Sequence, residues 1–320
     1  MFSIYILTHN EEIDIAPCIE SALLSDDVIV VDSFSTDSTV EIAARYPARV
    51  VQHKFESHGQ QRTWMLETIP TKYKWVYLLE ADERMTPELF QECLDATQRQ
   101  GIIGYYVAER VIFMGRWIRR STQYPRYQMR FFEKGKVWFT DYGHTEREIC
   151  EGPTSFLKQT YPHYTCSKGL SRWIEKHNRY SSDEAMETLR QLDKGRVEWG
   201  KLFFGRSEVE KRRALKDLSL RLPFRPLFRW FYMYFMLGGI LDGRAGFAWC
   251  TLQAFYEYLI LLKVKEMQQM SAAKLNTVEP VWPQNSPCQS KKHEFIAIQN
   301  SASWSAHESQ PSSTSRTPMQ

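Results

Sequence analysis

The sequence lacks paired cysteines. Its six cysteines are scattered along the chain, and no two of them form a Cys-x-x-Cys pair. The eight histidines show no metal-ligand spacing either. Because disulfide frameworks and zinc sites need such spacings, the sequence argues against both and favours a reducing compartment.

Neither a leader pattern nor a long apolar run is visible in the sequence. No basic segment followed by an apolar one opens the chain, so we expect no signal peptide and a cytoplasmic catalytic part. The two most apolar stretches, residues 230–241 and 245–262, fall short of the roughly 20 residues that a membrane-spanning helix needs. Charged residues at 242–244 separate them and would be costly inside a bilayer. We therefore expect two short interfacial helices or a re-entrant hairpin, with a soluble helical hairpin as the alternative.

A strong net charge is absent as well, but the charge is unevenly spread. The chain carries 41 Lys and Arg against 38 Asp and Glu, a net charge of +3. Many of the basic side chains lie between residues 194 and 229, just before the aromatic and apolar stretches. This arrangement favours an anionic membrane surface as partner. Since no known DNA- or RNA-binding motif accompanies these basic residues, we do not expect the protein to bind nucleic acid.

Strands and helices alternate through the first 100 residues. Runs rich in Val, Ile and Leu predict buried strands at residues 3–8, 27–32, 49–53 and 75–80. Segments with helical spacing or caps separate them, which predicts a parallel sheet with crossover helices. Shorter strands follow from residue 104.

An acidic cluster ends the fourth predicted strand. Glu80, Asp82 and Glu83 follow five apolar residues. A buried strand that ends in this way places the carboxylates at the carboxyl edge of the sheet, where open α/β sheets bind ligands. Carboxylates so close repel one another unless a cation lies among them, and oxygen ligands favour Mg²⁺ or Mn²⁺. The alternative is a solvated acidic turn before a helix.

Short polar segments or side chains follow each of the four predicted strands. They are residues 8–12, residues 32–37, Arg62 on the third helix, and residues 80–83. Each alone is typical of a turn or a helix cap. Together they meet at one edge of one sheet and predict a pocket for a nucleoside diphosphate.

These motifs resemble those of family 2 glycosyltransferases with the GT-A fold, and most of all the bacterial branch that builds lipopolysaccharide core and related surface polysaccharides. The resemblance covers residues 1 to about 266 and rests on the order of many motifs, at residues 7–12, 31–39, 61–62, 79–84, 115–118, 124–132, 173–181 and 241–243. It implies an α/β fold with a GT-A, Rossmann-like mixed sheet flanked by helices.

The resemblance also implies a division of the chain. Residues 1–192 would form the GT-A domain, with residues 1–100 for the nucleotide sugar and residues 101–192 for the acceptor. Residues 193–266 would form a basic, aromatic helical segment that associates with the membrane. Residues 267–320, rich in Ser, Pro and Gln, would form a disordered tail.

The same resemblance assigns roles to single residues. A divalent metal ion, Mg²⁺ or Mn²⁺, would be held by Asp82 with Glu80 or Glu83. The general base would be Glu146, with Asp141 as second choice. An anionic acceptor would bind Arg119, Tyr124 and Arg130, for which a solvated basic loop is the alternative. The nucleotide sugar would be held by Thr8, Asn10, Glu11, Asp32, Ser33 and Arg62.

The implied activity is inverting transfer of a hexose, expected to be glucose, from a UDP-sugar to a lipopolysaccharide core or lipid-linked polysaccharide. The protein would be cytoplasmic and peripherally associated with the inner membrane. Glu80 stands where the family normally has Asp, so a weakly active or inactive scaffold that binds nucleotide or glycan is the alternative. A sugar-phosphate nucleotidyltransferase is a further alternative. It needs a glycine-rich phosphate loop after the first strand, and residues 8–16 contain no glycine, so the sequence disfavours it.

Overall fold

The structure, a computed structural model, describes residues 1–142, 145–193 and 224–276. The strands along these residues are β1 (Ser3–Thr8), β2 (Val28–Asp32), β3 (Arg49–Gln52), β4 (Trp75–Glu80), β5 (Gly104–Phe113), β6 (Arg116–Trp117), β7 (Tyr127–Glu133), β8 (Val137–Tyr142), β9 (Thr145–Cys150) and β10 (Thr154–Tyr164). The helices are α1 (Ile15–Ala22), α2 (Thr39–Ala43), α3 (His58–Thr68), α4 (Pro87–Ala96), α5 (Gly169–Asp193), α6 (Arg225–Phe231) and α7 (Gly243–Asn276).

Eight of these strands form one mixed sheet. Its order is β10-β5-β7-β4-β1-β2-β3, with β6 beside β5. β4, β1, β2 and β3 are parallel, whereas β7 is antiparallel to both of its neighbours. Helices flank the sheet, and β8 and β9 form a separate hairpin. The expected mixed α/β sheet is therefore confirmed.

Burial on both faces explains the apolar central strands. Every residue of β2 is buried, as is every residue of β1 except Leu7. Helix α1 covers one face with Ile15, Cys18 and Ile19, at the spacing that one helix face requires. Ser57 accepts a hydrogen bond from the Gln60 N–H and so caps α3, which lies over the opposite face.

Strand register brings the polar strand ends together. Thr8 at the end of β1 lies opposite Asp32 at the end of β2, and Leu7 lies opposite Glu80 at the end of β4. The loops that follow these three strands therefore leave the sheet side by side. This is the edge that the sequence predicts for the ligand site.

The C-terminal helices differ from the expected pair of short interfacial helices. A π-helical turn (Tyr232–Met236) and a 3₁₀ turn (Gly239–Asp242) follow α6, and α7 then runs for 34 residues. The stretch Gly239–Ser271 is long and apolar enough to cross a membrane by length and composition, with 33% of its apolar window buried in the protein. A stretch of this kind also occurs as a core helix of soluble proteins, so it leaves the membrane expectation open.

The structure also bears on the expected disordered tail and on the expected basic segment. Helix α7 continues to Asn276, so the expected tail from residue 267 is wrong for residues 267–276. Polar, helix-favouring residues at 265–276 extend the helix past its apolar part. The rest of the expected tail and most of the basic segment lie outside the described residues. The proposed three-part division of the chain stays a prediction.

The acidic side chains between and inside the two apolar C-terminal stretches, Asp242 and Glu257, have partners in the protein. The Asp242 carboxylate accepts hydrogen bonds from the backbone N–H groups of Arg119, Arg120 and Ser121, at 3.0–3.3 Å. Glu257 is buried on α7 and forms ion pairs with Arg225 (2.9 Å) and Arg229 (2.8 Å). These contacts hold the loop after β6 against the 3₁₀ turn, and α6 against α7.

We predict that Asp242→Ala lowers the free energy of unfolding by about 3 kcal/mol, because three backbone donors lose their charged acceptor. Urea unfolding followed by circular dichroism measures the change. Asp26→Ala is the control, since Asp26 pairs with Lys72 on an exposed surface and its loss should cost little. An equal effect of the two substitutions would contradict the role of Asp242.

Candidate functional site

A cavity of about 1630 Å³ lies at the carboxyl edge of the sheet. The loops after β1, β2 and β4 form one side of it, and the end of β10 and the first half of α5 form the other. Its lining includes the predicted residues Thr8, Glu11, Ser33, Glu80, Asp82 and Asp141. The structure therefore brings together most of what the sequence predicts for donor and metal.

Glu80 is held by two arginines. Its Oε1 accepts hydrogen bonds from Nη2 of Arg62 (3.0 Å) and Nη2 of Arg130 (3.2 Å). Burial by itself would raise the pKa of Glu80, but the guanidinium groups of Arg130 and Arg62 outweigh it and hold that pKa well below its usual range. Glu80 is therefore ionised at neutral pH.

Asp82 is paired with a histidine that the sequence does not point to. Nε2 of His163 lies 3.2 Å from Oδ2 of Asp82, and Nδ1 of His163 lies 3.0 Å from Oε2 of Glu109. Burial by itself would lower the pKa of His163, but the carboxylates of Asp82 and Glu109 outweigh it and raise that pKa well above 6.5. His163 is thus an imidazolium at neutral pH, and Arg126 pairs with Glu109 behind it.

Backbone pairing fixes this contact. A short antiparallel bridge joins Glu83 to His163, and the Tyr164 N–H donates to the Asp82 carbonyl at 2.8 Å. Asp82 and His163 are 81 residues apart in the chain. Spacing within the sequence gives no signal for such a pair, because a strand pairing between distant segments creates it.

Glu83 and Arg130 differ from their expected positions. Both are buried, and Nη2 of Arg130 donates to Oε1 of Glu83 at 2.6 Å. Oε2 of Glu83 accepts from the Glu80 N–H at 2.9 Å. Arg130 lies on β7 next to β4 rather than in an exposed basic loop, so it neutralises the acidic cluster instead of facing an acceptor. The same pair removes Glu83 from the cavity surface.

The remaining carboxylates fit a divalent ion. The contacts described above use Oε1 of Glu80 and Oδ2 of Asp82, and both residues line the cavity. Among the described residues, no group of three His, Cys, Asp or Glu side chains is arranged to hold a metal alone. Mg²⁺ in phosphate-dependent enzymes is commonly held by one or two carboxylates plus substrate phosphates, so a site built on Asp82 and Glu80 would need phosphates of the donor as further ligands.

Residues predicted for the nucleotide divide into two groups. Thr8, Glu11 and Ser33 line the cavity. Asp32 is instead fully buried, because it ends β2 and accepts hydrogen bonds from the N–H of Ser35 (2.9 Å) and from Nε2 of Gln52 (2.9 Å). Asp32 therefore shapes the turn that carries Ser33.

Asn10 and Arg62 support the site from behind. Asn10 has a positive φ of 55°, and its side chain accepts a hydrogen bond from the Thr36 N–H at 2.7 Å. It therefore ties the loop after β1 to the loop after β2. Arg62 is buried on α3, where it connects Glu80 to Glu146 through ion pairs of 3.0 Å and 2.6 Å.

The two candidate bases have different surroundings. Asp141 accepts hydrogen bonds from the Gly59 N–H (3.0 Å) and from the Ser57 hydroxyl (2.7 Å), so it caps the start of α3. Glu146 does not line the cavity. It borders the site through Arg62, its side chain is 20% exposed, and its Oε2 lacks a hydrogen-bond partner among the described residues. Burial raises the pKa of Glu146 despite the opposing charge of Arg62.

Helix α5 supplies cations that were not predicted. Lys168, just before the helix, forms an ion pair with Glu11, and both line the cavity. Lys176 lies two turns further along the same wall. Burial by itself would lower the pKa of Lys176, but Tyr180, Asp82 and Glu80 outweigh it and raise that pKa. A charged ammonium group thus faces the carboxylates across the cavity.

The predicted acceptor residues Arg119 and Tyr124 line a second cavity of about 690 Å³. Gln123 lines both cavities, so the two adjoin there. Neither Arg119 nor Tyr124 lines the main cavity.

Comparisons with known proteins give a family match for the first half of the chain. The profile described as "Glycosyl transferase family 2" matches residues 3–150. The lipopolysaccharide core biosynthesis glycosyltransferase LpsC of Rhizobium meliloti is 25% identical over 280 residues, which cover 84% of this chain and 94% of that protein. An uncharacterized glycosyltransferase of Rickettsia bellii is 26% identical over 283 residues, which cover 83% and 86%.

Two solved structures show partial likeness. S. aureus TarS 1–349 matches 85% of this chain and 91% of its own, with 12% identity and a TM-score of 0.41. Glucosyl-3-phosphoglycerate synthase from Mycobacterium tuberculosis, in complex with Mn²⁺, UDP and phosphoglyceric acid, matches 34% of this chain and 43% of its own, with 26% identity and a TM-score of 0.30. At these low TM-scores we draw nothing further from either structure.

We predict that His163→Gln lowers the free energy of unfolding by about 3 kcal/mol, because two largely buried carboxylates lose the cation between them. The folded-state pKa of His163 is raised, so its stabilising contribution is complete below pH about 6.5 and disappears as pH rises through that raised pKa. The difference between wild type and variant should therefore shrink at alkaline pH. Urea unfolding across that range checks this, and a loss that is independent of pH would contradict an imidazolium.

Proposed function

We propose that this chain, which belongs to glycosyl transferase family 2 through residues 3–150, is an inverting glycosyltransferase. It would move a hexose, expected to be glucose, from a nucleotide-sugar donor. The acceptor would be a lipopolysaccharide core or a lipid-linked polysaccharide. The observation that carries the proposal is the cavity at the sheet edge. Two carboxylates, the polar ends of β1 and β2 and the Lys176 ammonium group meet there. That set suits a ligand with a polar base and ribose, a diphosphate and a divalent ion.

Donor binding follows from the placement of the side chains. Thr8, Glu11 and Ser33 lie where the base and ribose of a UDP-sugar would bind. Asp82 and Glu80 would hold Mg²⁺ or Mn²⁺, which when bound neutralises charge on the leaving diphosphate as a Lewis acid. Lys176 faces the same region and adds a fixed positive charge, which stabilises the leaving group electrostatically.

An inverting displacement also needs a base. Glu146 has an unpartnered oxygen and a raised pKa, both of which suit a group that takes a proton from the attacking hydroxyl. Asp141 uses both oxygens to cap α3, which makes it the second choice. The base would act on the acceptor, so its side chain must reach the cavity edge past Arg62.

The acceptor and the location are the remaining parts of the proposal. A relative with 25% identity is named for lipopolysaccharide core biosynthesis, which supports an acceptor of that kind. The exposed aromatic and aliphatic side chains of α6 and the turns after it support peripheral association with the inner face of the plasma membrane.

A donor screen tests the activity. Release of nucleoside diphosphate from UDP-, GDP- and dTDP-sugars is measured with Mn²⁺ or Mg²⁺, again with EDTA, and with a glycolipid extract as acceptor. We expect metal-dependent release from the UDP-sugar. Turnover that persists unchanged in EDTA would contradict the metal-assisted mechanism.

A scaffold without catalysis is the second candidate. It is favoured by Glu80, whose carboxylate is already neutralised by Arg62 and Arg130. Nucleotide binding without turnover, under every metal and acceptor tried, would favour this reading over the enzyme.

We predict that Asp82→Asn lowers the transfer rate by about 100-fold or more, because the remaining carboxylate holds the metal poorly. Asp95→Asn, a surface change on α4, serves as the control and should leave the rate unchanged. Both rates are measured with saturating donor. If Asp82→Asn kept full activity, the assignment of Asp82 as a metal ligand would be wrong.

We predict that Glu146→Gln lowers kcat by about 1000-fold, within the range for loss of a general base. Since burial raises the pKa of Glu146 above 4.5 and the base must be ionised, the wild-type rate should rise with pH through a value above 4.5. Asp141→Asn should keep most of the activity and cost about 1 kcal/mol of stability through its helix cap. The reverse pattern in kcat would make Asp141 the base.

A further inference from the structure

The second cavity combines positive charge with an apolar surround. It has a volume of about 690 Å³ and is lined by Arg119, Arg120, Tyr124, Tyr232 and Met236, among others. Among the described residues, neither Arg119 nor Arg120 has a carboxylate partner for its guanidinium group. Both arginines line the same cavity, and guanidinium groups bind anions with several oxygens, such as a phosphate.

The backbone that carries these arginines is fixed. The Asp242 carboxylate accepts hydrogen bonds from the N–H groups of Arg119 and Arg120, at 3.3 Å and 3.0 Å. The guanidinium of Arg119 lies over the Trp117 ring, 5.3 Å from its centroid. Main-chain contacts therefore fix the backbone of both arginines, and ring packing orients the Arg119 guanidinium.

Exposed apolar side chains lie along the helical segment that contributes Tyr232 and Met236 to this cavity. Met236 is 66% exposed and lines it, and Leu241 is 67% exposed a few residues further on. Phe228, Phe231 and Phe235, on α6 and the π-helical turn, are each about half exposed. Exposed apolar side chains near two arginines that have no carboxylate partner in the described part of the chain are complementary to a bilayer interface, where anionic headgroups lie next to acyl chains.

We propose that this arginine pocket binds the phosphate of an anionic phospholipid headgroup, while the apolar side chains around it enter the acyl region of the bilayer. Gln123 lines both this pocket and the catalytic cavity. Headgroup binding therefore holds the catalytic cavity against the membrane surface, where a lipid-linked acceptor is presented. The proposal rests on the membrane location given above, and its test needs no transferase activity.

Flotation with lipid vesicles tests the pocket. Wild-type protein should bind vesicles of phosphatidylcholine with phosphatidylglycerol more tightly than vesicles of phosphatidylcholine alone. Arg119→Gln with Arg120→Gln should weaken binding to the anionic vesicles by about 30-fold, the change expected for two arginines at such a surface. The double variant Arg119→Lys with Arg120→Lys keeps the charge and should bind with intermediate strength, because ammonium groups lack the bidentate geometry.

A charge-matched control separates the pocket from general attraction. Arg45→Gln with Lys158→Gln removes two exposed charges that line neither cavity, and it should bind anionic vesicles like wild type. Equal weakening by both double variants would overturn the proposal, as would equal binding of wild type to both kinds of vesicle. Circular dichroism of each variant checks that it is folded.

Inorganic phosphate identifies the source of the anion. At matched ionic strength, millimolar phosphate should not release the protein from anionic vesicles, because a headgroup site gains affinity from the surrounding apolar contacts. Release by phosphate but not by chloride would assign the pocket to free phosphate and overturn the lipid assignment. Loss of donor turnover in the screen above, with vesicle binding intact, would count against the transferase proposal alone.

Discussion

The structure depends on the neutralisation of three carboxylates that lie within four residues. Glu80, Asp82 and Glu83 follow one buried strand, and such a cluster is costly unless each charge has a partner. Arg130 pairs with Glu80 and Glu83, Arg62 pairs with Glu80, and His163 pairs with Asp82. The partners come from α3, β7 and β10, so the second half of the sheet is tied to the first through this cluster.

That constraint also determines which carboxylates face the cavity. Glu83 is enclosed by its partner Arg130, whereas Asp82 and Glu80 stay at the cavity surface. Arg62, Arg130 and His163 pair with these two carboxylates. The pKa values of Glu80 and Asp82 therefore lie below the usual range. Glu80 and Asp82 are therefore ionised, whereas burial raises the pKa of Glu83 to about 8.

Local patterns made the sheet edge predictable. Apolar runs mark β1, β2 and β4, and the polar residues after them necessarily meet where parallel strands end. Thr8, Ser33, Glu80 and Asp82 could be placed on this basis.

Contacts between distant segments could not be predicted in the same way. His163 reaches Asp82 only through the pairing of β10 with the loop after β4. The burial of Arg130 depends on β7 lying beside β4, and that of Asp32 on the turn it closes. The length of α7 was underestimated because its polar end has no apolar periodicity, although its residues favour helix.

The most direct test of the account is calorimetric titration of UDP into the protein with and without Mn²⁺, for wild type and for Asp82→Asn. Asp82 and the diphosphate would share the ion. Mn²⁺ should therefore increase the affinity of wild type for UDP by at least about tenfold, and it should leave the affinity of the Asp82→Asn variant for UDP unchanged. An affinity for UDP that is the same with and without Mn²⁺ in wild type would contradict the account.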